Sequence, residues 1–275
     1  MRKTRGWALV FAFSFVRCGA TPAARDPQKT GQLRVATTSG QLAGMPRTST
    51  FFSGFFADTT TSSMQCTSRF VSICKVTTCV TAARDGDAGT GSGVPLVVRA
   101  GTITISGAGQ SLNFSPSPEG GYPSGGSGTE EFFPAGTVVT MTAAGDAMGV
   151  PAFSGTVTMP ARVTFSSPAV TTGTMLVLRR AQPFALAWSG GTTGNVTATI
   201  ISTGTNRSVT AQCSFAATAG NGTVGPDVLS LLDAGPALLL LGAEDSRSLV
   251  AGDYTITLTA ASTGITDSIV RATIE

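Results

Sequence analysis

Few side chains in this sequence could do chemistry, and their spacing argues against most kinds of it. There is no histidine among the 275 residues. Histidine titrates near neutral pH and is the commonest general base and metal ligand. Ser-His-Asp and Cys-His nucleophile systems are therefore excluded, as is any His-ligated zinc or haem. Two groups of carboxylates remain. Asp85-Gly-Asp87-Ala-Gly89-Thr-Gly91 partly matches a calcium loop. Calcium takes about six to eight oxygens, and both a third acid and a bidentate Glu at the required spacing are missing. The segment reads as a surface turn. Glu130-Glu131 could in principle serve glycoside hydrolysis, but neighbours on a strand point to opposite faces and do not converge on one bond. No Asp-Thr/Ser-Gly motif of an aspartic protease occurs. The expectation is a protein without catalytic residues, metal or cofactor.

The cysteines are the next reactive group. They are Cys18, Cys66, Cys74, Cys79 and Cys213. If Cys18 leaves with a leader or carries a lipid, four remain, an even number suited to an oxidising compartment. Four allow three pairings, and the closeness of Cys66, Cys74 and Cys79 predicts at least one local staple. Cys213 has a second reading. Val209, Ala211, Cys213 and Phe215 share one face of a strand, where cysteine is at home as a small buried thiol. Paired C-x2–4-C knuckles are lacking, so a zinc site is not expected.

The elements that would position these residues are β throughout. Apolar and polar residues alternate over Thr102–Ser106, Thr137–Ala143, Thr156–Met159, Phe184–Trp188, Val196–Ile201, Val209–Phe215 and Tyr254–Ala260. This period of two marks half-buried antiparallel strands. Tyr254, Ile256 and Leu258 share one face and three threonines the other. Ala237–Leu241 suits a buried strand. Pro226 opens the best helical candidate, one or two turns before Leu232. Trp188 falls in phase with Phe184 and Leu186 and is expected in a core. The Gly/Pro/Ser-rich loop 115–128 carries Tyr122, the best aromatic candidate for touching a ligand.

Ala135–Ala144 resembles Ala251–Ala261 in sequence, each followed by a Gly-containing break and one more strand. This echo suggests two sandwiches of roughly 100 residues. The expected organisation is residues 1–20 as a signal peptide, 21–63 as a Thr/Ser/Gly-rich tether, 64–163 as a first β-sandwich and 164–275 as a second, Ig-like one. The fold class is all-β, two tandem Ig-like antiparallel β-sandwiches. Within the tether, Phe51-Phe52-Ser-Gly-Phe55-Phe56 is too apolar for a linker and is expected to dock on the first domain.

The basic start Met1–Arg5 and the apolar run Gly6–Val16 form a secretory leader pattern, too short for a membrane span. Cys18 stands where a bacterial lipoprotein takes its lipid, although Arg17 occupies a position that usually holds a small residue. Cleavage after Ala20 is the alternative. From residue 35 onward, 11 basic residues meet 14 acidic ones. The net charge of −3 offers no basic stripe for phosphates, so nucleic acid is not an expected partner. All four asparagines (Asn113, Asn195, Asn206, Asn221) lie in Asn-x-Ser/Thr sequons, acceptor sites in a eukaryotic secretory route and silent in a bacterial one.

The cluster Cys66-x7-Cys74-Lys-Val-Thr-Thr-Cys79, with Ala100–Ser106, Pro151–Gly155 and Leu186–Gly190, resembles a family of uncharacterised bacterial envelope lipoproteins with Ig-like sandwiches. The resemblance covers residues 64–275. It implies an exported β protein and supplies no functional residue. The sequence thus predicts a non-catalytic envelope or surface protein serving adhesion, spacing or assembly, with an envelope or extracellular partner and a membrane link only through a lipid anchor. A carbohydrate- or ligand-binding module and a carboxylate hydrolase are the alternatives.

Overall fold

The computed structural model describes residues 24–25, 29–42, 45–58, 64–81, 96–122, 125–127, 131–169, 175–264 and 269–275. The expected leader with Cys18, the Asp85–Gly91 segment and Glu130 lie outside the described residues. In chain order the strands begin with β1 (Ala24–Arg25), β2 (Lys29–Leu42), β3 (Met45–Asp58), β4 (Met64–Val71), β5 (Cys74–Thr81) and β6 (Leu96–Val97). Next come β7 (Ile103–Gly107), β8 (Gln110–Phe114), β9 (Gly125–Ser127), β10 (Val138–Ala143), β11 (Phe153–Thr158), β12 (Thr164–Ser167) and β13 (Met175–Leu178). The last are β14 (Phe184–Ser189), β15 (Asn195–Thr203), β16 (Arg207–Ala216), β17 (Asn221–Val224), β18 (Gly235–Ala251), β19 (Tyr254–Gly264) and β20 (Ile269–Ile274). Among the described residues one α-helical turn occurs, α1 (Pro226–Leu229), which starts at the expected proline and buries Val228 and Leu229. The protein is all-β.

Its frame is one large sheet in the order β1-β4-β5-β16-β15-β18-β19-β2-β3-β6, with β9, β13 and β20 attached. Two small sheets, β11-β10-β7-β8 and β12-β14-β17, pack against it like the second layers of sandwiches. The ladders are antiparallel except β19–β2 and β13–β20, which are parallel, so the sheet is mixed rather than purely antiparallel. The hairpin β7–β8 turns on Ala108 and Gly109, both at positive φ (48° and 76°). Two such residues match the right-handed twist of the strands they join.

Side-chain parity shows how the layers meet. On β18, Ala237, Leu239, Leu241 and Ala243 enter one core with Trp188, Ile200, Ala211 and Val224. Ala251, at the far end of the same strand, enters the other with Leu33, Phe56, Ile105, Met141 and Leu258. All five are odd-numbered, so both small sheets cover the same face of the large one. At 17 residues, β18 extends about 55 Å, long enough to pass beneath both.

Both cores draw on either side of residue 163. Cys74 and Val76 join the core dominated by residues 163–274, and Tyr254–Ala260 closes the other. The echoing segments Ala135–Ala144 and Ala251–Ala261 face each other across that second core, through Val139 and Met141 on one side and Ile256 and Leu258 on the other.

The tether is corrected over most of its length. Lys29–Leu42 and Met45–Asp58 form a hairpin of two 14-residue strands. β2 also pairs in parallel with β19, so its backbone is satisfied on both edges. Leu33 and Val35 enter the core, an alternation that glycines and threonines conceal in the sequence. Phe52 and Phe56 dock as expected, whereas Phe51 and Phe55 each stay 47% exposed on the opposite face. Ala237–Leu241 is likewise buried on one side only, with Leu238 exposed.

Candidate functional site

All four cysteines of the described residues are paired, Cys66 with Cys79 and Cys74 with Cys213. Each pair joins residues directly opposite in register, across β4–β5 and β5–β16. Positions 74 and 79 of β5 differ by an odd step, so the two bridges lie on opposite faces of the sheet. Cys74–Cys213 is buried among Val76, Val209 and Ala211. Cys66–Cys79 is half-buried on the uncovered face. The reading of Cys213 as a plain thiol is overturned: its burial is real, and Cys74 lies opposite it.

Tyr122 is also corrected as a ligand contact. It is 7% exposed, stands edge-on to Phe56 with ring centroids 5.7 Å apart and spends its hydroxyl inside the fold. The Ala100 amide donates to the hydroxyl oxygen at 2.9 Å, and the hydroxyl donates to the Gly101 carbonyl at 2.6 Å. Tyr122→Phe is expected to cost about 1–3 kcal/mol by leaving the buried Ala100 amide unpaired, measured by urea unfolding. An unchanged midpoint would show that the bond carries no net stability. Trp188 lies in the core and its indole N–H donates to the Ala217 carbonyl at 2.7 Å. Glu131 is exposed, and the four sequon asparagines are all exposed.

Among the described residues, polar side chains converge at a place the sequence did not single out. It lies on the face of the large sheet that neither small sheet covers, a hollow of about 380 Å³. Parity builds it. Leu240, Gly242 and Glu244 leave β18 away from the core that takes Leu239, Leu241 and Ala243, and Thr197 and Thr199 do the same from β15. Arg34, Ala36 and Thr38 rise from β2, Phe51 from β3, Gln212 from β16 and Thr263 from β19. Ala261 stands beside Glu244 in register, and Ala36 beside Ala261. Small residues there leave the depression that larger ones would fill.

Glu244 forms the floor and is only 8% exposed. Gln212 Nε2 donates to its Oε1 at 3.0 Å. Burial pushes its pKa above the ordinary carboxylate range, opposed by the charge of Arg34 and by hydrogen bonds from Gln212 and Thr197. A carboxyl whose folded pKa exceeds its unfolded value stabilises the fold fully below the unfolded value, near 4.5. That contribution is lost as pH rises through the folded pKa. Glu244→Gln is therefore expected to flatten the fall in melting temperature between mildly acidic and neutral pH. Coincident pH profiles for the two proteins would refute the assignment.

No protein-family model matches the chain, and no curated protein matches it. Among the described residues, no group of three or more His, Cys, Asp or Glu could hold a metal ion, and no helix is long and apolar enough to cross a membrane. The signal that could have revealed the hollow was a lone acid in phase with Leu238 and Leu240 on one strand. Its partners come from three other strands, Gln212 on β16, Thr197 on β15 and Arg34 on β2, and no local pattern announces that meeting.

Proposed function

We propose that this is a non-catalytic, exported protein of the cell envelope or surface, akin to the bacterial envelope lipoproteins it resembles, whose large sheet serves adhesion, spacing or assembly. The observation that carries the reading is the pair of cross-strand disulfides, which tie β4, β5 and β16 together on both faces. Bridges of this kind persist in oxidising compartments and are rare in the cytosol. On the face of the large sheet away from the two small sheets, the rings of Phe51 and Phe55 stand half exposed.

Cell fractionation with intact-mass analysis before and after reduction tests this. The protein is expected in the envelope or medium with all four cysteines of residues 66–213 oxidised, and a diacylglyceryl mass on Cys18 would fix it to the membrane. A cytosolic protein with free thiols, or turnover of any substrate by the purified chain, would overturn the reading.

A further inference from the structure

The hollow around Glu244 combines features that structural packing does not require. A carboxylate buried on the uncovered side of a sheet costs desolvation energy, and an apolar residue there would avoid that cost. The small lining residues Ala36 and Gly242 keep the space above the sheet open. The volume falls in the range of small-molecule sites, about 300–1,000 Å³.

The geometry points to a saccharide site here, one that takes a single neutral pyranose ring between Glu244, Gln212, Arg34 and the ring of Phe51. Ionised Glu244 only accepts hydrogen bonds and Arg34 only donates them. A hydroxyl does both, so neighbouring hydroxyls of one sugar can give to Glu244 and take from Arg34. Thr199 and Thr263 add further hydroxyls on the rim. Phe51, half exposed, offers a flat wall for the C–H face of the ring, a weak but directional contact.

Other ligand classes fit less well. An anion attracted by Arg34 meets Glu244 on the floor. A cation drawn to Glu244 meets the Arg34 charge, which already acts on that carboxyl. A purely apolar side chain would bury Glu244 and Arg34 further and add no hydrogen bond to either.

The inference does not depend on where the protein resides, so binding by the purified full chain tests it separately from export. The probes are glucose, galactose, mannose and N-acetylglucosamine, followed by saturation-transfer NMR and calorimetry. At least one is expected to bind with a Kd on the order of millimolar. Glu244→Gln and Phe51→Ala should each weaken it by about tenfold or more, with melting temperature as the check on folding. Phe55→Ala, on the same face but outside the hollow, should leave it unchanged. The proposal is overturned if none of the four sugars binds, if binding survives both substitutions in the hollow, or if choline or glucuronate binds at Glu244 in preference to the neutral sugars.

Discussion

Replacing Cys74 and Cys213 together with alanine is expected to cost about 5 kcal/mol, by the chain-entropy relation for a closed loop of this size. The bridge joins residues 139 apart in sequence, so without it the unfolded chain regains the freedom of half its length. Domains are typically stable by about 5–15 kcal/mol, and the double variant should therefore sit near the edge of folding at 37 °C. Cys66–Cys79 closes only 13 residues, and the same relation gives about 3 kcal/mol for its removal. Urea unfolding under non-reducing conditions distinguishes the two. Burial adds a kinetic difference. A limited dose of reductant should open the half-buried Cys66–Cys79 first and reach Cys74–Cys213 only as the core opens. Equal stability losses, or reduction in the opposite order, would contradict this account of the sheet.

The second large effect belongs to the hairpin β2–β3. Phe56 is fully buried at 0% exposure and its ring meets those of Tyr122 and Phe153, with centroids 5.7 and 6.0 Å away. Phe56→Ala should cost about 3–5 kcal/mol, the usual range for emptying a core of an aromatic ring. Phe55→Ala, one residue away and on the uncovered face, should change stability by no more than about 0.5 kcal/mol. Thermal melts of the two variants decide whether residues 45–58 are part of the fold or an appendage. Similar melting temperatures for both would favour an appendage.

Much of the β content was legible in the sequence. The alternation at Val209–Phe215 and Tyr254–Ala260 predicted both the strands and their buried faces, because a period of two is a local property of the chain. Trp188 in a core and the short helix at Pro226 were legible for the same reason: phase and a proline at the first helical position act over a few residues. Leu33 and Val35 were harder, since Thr, Gly and Ser around them resemble a linker until β19 pairs with β2. Tyr122 looked available because it sits in a Gly- and Pro-rich loop, and only the fold shows its hydroxyl bonded to Ala100 and Gly101.

By itself the sequence determined the all-β class, the lack of any histidine chemistry and an even set of cysteines from residue 66 onward, since each follows from composition or spacing along the chain. The tertiary structure alone decided which cysteines pair, which phenylalanines are buried and which side chains gather around Glu244. Those outcomes depend on strand order and register between segments far apart in the chain, as where Thr255 of β19 pairs with Thr30 of β2. Register is set by the joint burial of many apolar faces, and no single segment encodes it.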